Sequence, residues 1–206
     1  MNHLAHFVLC PEDDEARAGT LIADFSRGAD LSAFMPGIEL GIRLHRRIDA
    51  LVDSSAEVIA LKPLVDAPLR RYAGILFDVF FDYALIRTWQ PASFGPLPQF
   101  TSAIYASLAR MQALTPEPAR TVAQRMQLYD ALSSCATHAG CARTLNRIAT
   151  RLKRPVDLAA GIDVLKRHEH AVVAAVQRLL PVLHEEARRF VAAFPNGAVR
   201  RTPEAQ

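Results

Sequence analysis

The segment Gly41–Asp53, GIRLHRRIDALVD, constrains this chain more than any other stretch. Ile42, Leu44, Ile48, Leu51 and Val52 recur at helical spacing, so the segment predicts an amphipathic helix. His45, Asp49 and Asp53 fall at i, i+4 and i+8 and rise along one face of that helix, with Arg46 and Arg47 beside them. A helix serving only a core would not need an imidazole, two guanidiniums and two carboxylates within nine residues. That set suits a metal ion, a phosphate, or both.

The rest of the pattern is helical as well. Glu12–Arg27 begins with an acidic run that suits a helix N-terminus, and Gly28 stands where a C-terminal cap would sit. Pro36 opens the helix that runs toward Ser55, and a shorter helix or turn covers Ala56–Val65. Pro68–Trp89 is a long apolar segment without an internal proline, which favours helix over strand. Gln90–Gln99 holds three prolines and a glycine and predicts a loop. Helices are expected over Gln99–Leu114, Pro118–Thr137, Cys141–Leu152 and Pro155–Phe194, the last kinked or split at Pro181. No strand alternates and no repeat has a fixed period. The expectation is a single all-α domain, a helical bundle over residues 1–206 with a frayed tail at 195–206.

Of the 206 residues, 50% are hydrophobic, enough for one full core. The formal charge is only +3, but from Arg143 onward 12 Lys and Arg stand against 6 Asp and Glu. Such a basic third fits an acidic partner as well as a solvated helical face. Arg143, Arg147 and Arg151, four apart, would form one face of it. Cys10, Cys135 and Cys141 lack the spacing of a zinc site and read as reduced thiols of a cytosolic protein. The start has no basic region before its short apolar run, so no signal peptide is expected. No run of 18 apolar residues predicts a membrane span. Nucleotide-binding glycine motifs and an aromatic-rich nucleic-acid motif are absent, so no nucleic-acid partner is expected.

Further polar groups sit in apolar surroundings: His6 in LAHFVLC, Asp24 in TLIADFSRG, and Asp78 and Asp82 in ILFDVFFDYAL. Asp78 and Asp82 are one helical turn apart. Two buried carboxylates need a shared proton or a cation between them. A divalent metal would supply the cation, with His6 and His45 as nitrogen ligands. Ion pairs to Arg46, Arg47, Arg70, Arg71 or Arg87 would satisfy the same carboxylates structurally.

Four pieces in order resemble the acyl carrier protein phosphodiesterases. They are Leu4-Ala5-His6, the run Gly19–Gly28 around Asp24-Phe25, His45–Asp49, and Arg70-Arg71 leading to Asp78 and Asp82. The resemblance is carried by about residues 1–90. It implies an all-helical bundle, a divergent relative of the HD-type metal phosphohydrolases. It also implies cytoplasmic hydrolysis of holo-acyl carrier protein to the apo form, with release of 4′-phosphopantetheine. Mn²⁺ is the implied cofactor, with Mg²⁺ or another divalent ion as a substitute. The implied metal ligands are His6, Asp24, His45 and Asp78, with Asp49 orienting His45 or an arginine. Arg46 and Arg47 would neutralise the phosphate, and Asp82 would orient water or protonate the leaving serine oxygen. Arg143, Arg147 and Arg151 would dock the acidic carrier protein. Two other functions share these residues: a non-catalytic binder of the carrier, and a hydrolase of another phosphodiester.

The sequence departs from the family pattern at three places. Asp82-Tyr83 stands where the family reads Asp-His, and a phenol, with a pKa of about 10, is no proton shuttle at pH 7. Thr20 and His3 replace residues of other types. If the family's histidine is a metal ligand or proton carrier, Tyr83 in its place would slow or abolish turnover.

Overall fold

The computed structural model describes residues 3–195. Its helices are α1 (His3–Leu9), α2 (Asp14–Ile22), α3 (Pro36–Ser54), α4 (Ala56–Leu61) and α5 (Ala73–Arg87) in the first half. Then come α6 (Pro91–Phe94), α7 (Leu97–Arg110), α8 (Glu117–Leu128), α9 (His138–Ala149) and α10 (Ile162–Ala193). No strand occurs among the described residues, and the fold is all-α as expected.

The helix α5 lies at the centre. Leu76, Phe77, Val79, Phe80, Phe81, Ala84 and Leu85 are buried around its whole circumference. A helix that is apolar on every side must be surrounded. The core built on it joins residues of α1, α3, α7, α9 and α10, so both halves of the chain share one interior. A smaller cluster, with Ile22, Ile38, Ile42 and Ala119, lies under α2 and α3.

Two glycines set how closely α2 and α3 pack. A Cβ on Gly41 would stand 2.1 Å from the Ala16 carbonyl oxygen, and one on Gly19 would stand 2.1 Å from that of Ile38. No side chain fits at either place, so the two backbones meet directly. This contact brings the residue after Gly19, Thr20, against the face of α3 that carries His45.

Several boundaries differ from expectation for local reasons. The α2 helix starts one residue after Asp13, whose carboxylate accepts a hydrogen bond from the Ala16 amide at 2.9 Å. It ends at Ile22 in a 3₁₀ turn over Ala23–Phe25, well before Gly28. The expected loop at 90–99 contains α6, which Pro91 opens, and α7 already begins at Leu97. The α8 helix stops at Leu128 rather than running to Thr137, and Asp130 beyond it has φ +43°. Thr137 caps α9, which ends at Ala149, so Arg151 lies past its C-terminus. In α10 the backbone leaves helical angles at His168, not at Pro181. Pro181 is exposed, and the Gln177 carbonyl it leaves without a donor belongs to an exposed residue that water can reach. The tail expected to fray lies, from residue 196 on, outside the described residues. No helix among the described residues is long and apolar enough to cross a membrane. The three cysteines are unpaired.

The contact between α2 and α3 makes a first expectation. Gly41→Ala should destabilise the protein by about 1–3 kcal/mol or more, because the new methyl must push two backbones apart. Thermal denaturation checks this, and an unchanged melting temperature would contradict the close approach.

Candidate metal centre

The centre begins with one hydrogen bond. His45 Nδ1 lies 2.9 Å from the Thr20 carbonyl oxygen. A carbonyl only accepts, so Nδ1 carries a proton, and Nε2 is the nitrogen left to face the cluster. That Nε2 stands 3.2 Å from Asp49 Oδ2 and 3.7 Å from Asp24 Oδ1. His45 is buried, and Asp49 is one turn further along α3. Asp24 reaches in from the 3₁₀ turn after α2.

His6 comes from α1. Its ring stacks on that of His45 with centroids 3.7 Å apart and planes 5° from parallel. Its Nε2 is 3.0 Å from Asp49 Oδ1, yet it is buried and has no hydrogen-bond partner in line with it. Burial drives the His6 pKa down to about 3, the neighbouring His45 ring adds to this, and Asp49 only partly offsets it. The ring is therefore neutral at pH 7. Burial opposes the charge on Asp49, but the imidazoles of His45 and His6 outweigh it and hold that carboxyl well below the usual range.

One ligand atom from each of His6, His45 and Asp49 can be chosen so that all lie within 4.8 Å of one another. Nitrogen and oxygen ligands about 2.1 Å from one ion stand about 3 Å apart when their bonds meet near right angles. The separations of 3.0 and 3.2 Å match that spacing. A buried imidazole nitrogen against a carboxylate, and a second imidazole fixed by a backbone carbonyl, are the donor types that divalent ions take.

The other expected residues divide. Asp78 lies on α5, where burial raises its pKa and repulsion from Asp49 and Asp53 adds to the effect. It is not one of the three residues whose ligand atoms come together, which are His6, His45 and Asp49. Asp82, expected to orient water or protonate the leaving oxygen, is placed at the start of α1. It is 1% exposed, and its two oxygens accept hydrogen bonds from the Leu4 and Ala5 amides, each at 3.1 Å. It caps the start of α1 and so positions His6. Arg46 donates from Nη2 to the Ser26 carbonyl at 2.7 Å and to the Ser26 hydroxyl at 3.0 Å. It braces the segment that carries Asp24. Arg47 points elsewhere, to Glu186 on α10 at 2.8 Å. Adjacent residues on a helix face about 100° apart, so Arg46 and Arg47 could not share one phosphate face. Arg143, Arg147 and Arg151 are all exposed, but with α9 ending at Ala149 they do not share one helical face.

Tyr83 is also turned away. Its hydroxyl donates to Glu169 Oε1 at 2.8 Å, and its ring stacks on His138 with centroids 5.0 Å apart. Burial, then Glu169, pushes the phenol pKa up to about 12. The Asp-Tyr departure therefore falls on a structural contact between α5, α9 and α10.

Asp49 was expected only to orient neighbours, yet it sits between both histidines; its i+4 spacing from His45 was the visible signal. The Thr20 carbonyl had no signal of its own, since every residue carries one. The small residues Gly19 and Gly41 marked where backbones could meet.

Fold and centre together define an all-helical protein with a buried histidine–carboxylate cluster. The sequence matches the family model for acyl carrier protein phosphodiesterase over residues 1–183. Proteins of that name are similar along most of the chain. One from Serratia proteamaculans is 29% identical over 189 residues, covering 91% of this chain and 98% of its own. One from Pectobacterium atrosepticum is 31% identical over 171 residues, covering 82% and 89%. One from Escherichia coli K12/DH10B is 37% identical over 115 residues, covering 56% and 58%. No solved structure matches the chain. The chain belongs to the acyl carrier protein phosphodiesterase family, a family of hydrolases acting on a phosphodiester.

The position of Tyr83 makes a second expectation. Tyr83→Phe should cost about 1–2 kcal/mol of stability through the lost hydrogen bond to Glu169. Tyr83→His should leave divalent-metal binding as it is in the wild type. Melting curves with and without Mn²⁺ read both, and a new or tighter metal site in Tyr83→His would show that position 83 faces the cluster.

Proposed function

We propose that the protein hydrolyses the phosphodiester between 4′-phosphopantetheine and the carrier serine of holo-acyl carrier protein, giving the apo form. The observation that carries this reading is the His6–His45–Asp49 cluster in a member of this family. His6, His45 and Asp49 would hold a divalent ion, Mn²⁺ first, with Asp24 and Asp78 at its edge. Such an ion supplies Lewis acidity to the phosphoryl oxygens and lowers the pKa of water toward neutrality.

The chain's own groups do the remaining work. The Thr20 carbonyl keeps His45 Nδ1 protonated and its Nε2 directed at the centre. Asp82 holds α1 and therefore His6 in register. Arg46, exposed beside Asp24 and held at Ser26 through one nitrogen, keeps its other donors for the non-bridging oxygens. Arg47, engaged by Glu186, takes no part. In the overall reaction water adds to phosphorus, the bond to the serine oxygen breaks, and that oxygen takes a proton.

The substrate is an acidic protein, and the exposed Arg143, Arg147 and Arg151 offer opposite charge. The HD-type ancestry suggested by the sequence fits a histidine and aspartate cluster gathered from several helices. This activity would place the protein with its carrier in the cytoplasm, in fatty acid biosynthesis.

Incubation with holo-acyl carrier protein and Mn²⁺ should remove the mass of phosphopantetheine from the carrier. A chelator should stop the reaction, and His45→Ala or Asp49→Asn should slow it by about 100-fold or more. An intact holo-carrier after incubation with each divalent ion would overturn the reading.

A further inference from the structure

Beside the cluster, α8, α9 and the start of α1 enclose a cavity of about 410 Å³. Its size falls among ligand sites, which run from about 300 to 1,000 Å³. Its wall has two characters. Met126 and Thr144, both buried, lie deep in it, while Arg125, Arg147 and Arg151 stand exposed around it. No carboxylate lines it. Elsewhere arginines pair with acids, as Arg43, Arg87, Arg110 and Arg178 do, but none of these three has such a partner among the described residues.

His3 joins the cavity to the metal centre. It lines the cavity and stands one turn from His6 on α1. Burial lowers its pKa, Asp24 pulls the other way, and His45 and Arg151 add to the lowering. His3 is thus the cavity residue nearest in the chain to the cluster.

We propose that this cavity holds the 4′-phosphopantetheine arm, its phosphate end leaving past His3 toward the metal centre and its chain extending over Met126 between Arg125 and Arg147. This rests on the reading that the centre cleaves holo-carrier protein. The arm is narrow and combines amides and a hydroxyl with methyl-bearing carbon, which suits a polar rim over an apolar base. A helix of the carrier could meet the three guanidiniums but could not reach the buried Met126, so depth favours the arm over the protein. Cleavage turns a phosphodiester with one charge into a monoester carrying about −1.5 to −2 at pH 7. The arginines would then hold the product more firmly than the substrate's arm.

Calorimetric titration of the full chain with Mn²⁺ present tests this, using free 4′-phosphopantetheine, pantetheine and inorganic phosphate as probes. Phosphopantetheine should bind at least about tenfold tighter than either fragment, as expected when charge-assisted and apolar contacts act together. Arg125→Gln combined with Arg147→Gln changes only exposed side chains and should weaken it about tenfold. Ala131→Trp, at the cavity wall, should weaken it too. In these variants Mn²⁺ binding should stay at wild-type strength, and binding of apo-carrier protein should fall less than binding of the arm. Phosphopantetheine binding no tighter than inorganic phosphate, or undiminished in the variants, would overturn the proposal. So would variants that lose only the apo-carrier, because the arginines would then serve protein docking. A wild type that binds the arm but leaves holo-carrier uncut would support the cavity and defeat the activity reading.

Discussion

The hydrogen bond from His45 Nδ1 to the Thr20 carbonyl is the interaction on which the centre depends. It exists because Gly19 and Gly41 let α2 and α3 meet backbone to backbone. A protonated Nδ1 leaves Nε2 as the nitrogen a metal could take, and the ring's orientation turns it toward Asp49 and Asp24. Helix packing thus sets a tautomer. The same contact carries Asp24 into place, because its 3₁₀ turn continues directly from α2.

The aspartates show how burial and partners divide one residue type among different tasks. Asp49 is stabilised in its charged form by two imidazoles. Asp82 is more buried, and it uses its oxygens on the first amides of α1, whose donors would otherwise have no acceptor. Asp78, between them in depth, feels the other carboxylates as repulsion. A divalent ion at the cluster would relieve that repulsion while leaving the cap on α1 untouched.

Much of this was legible in the sequence. Helical periodicity and the length of the apolar run at 68–89 foretold an all-α fold. His6, Asp24, His45 and Asp49 were visible as polar groups in apolar or regular surroundings. The roles were less legible. Whether a buried carboxylate meets a metal or a helix N-terminus depends on what another element brings to it, so Asp82 was read as chemistry. Arg46 and Arg47 look equivalent in a string, but one helical step sends the first to Ser26 and the second to Glu186. Arg151 seemed to continue a helical face because nothing in LNRIATRL marks the end at Ala149. The family resemblance supplied substrate and cofactor, which no spacing of residues could.

The central claim is that His6, His45 and Asp49 converge on one divalent ion through a histidine whose tautomer the α2 backbone sets. A crystal of the protein soaked in Mn²⁺, with anomalous diffraction recorded at the manganese edge, tests it most directly. The account predicts a single strong peak about 2.0–2.3 Å from His6 Nε2, His45 Nε2 and an Asp49 oxygen, with His45 Nδ1 still on the Thr20 carbonyl. A peak lying elsewhere, or no peak with the two rings stacked as they are, would contradict it.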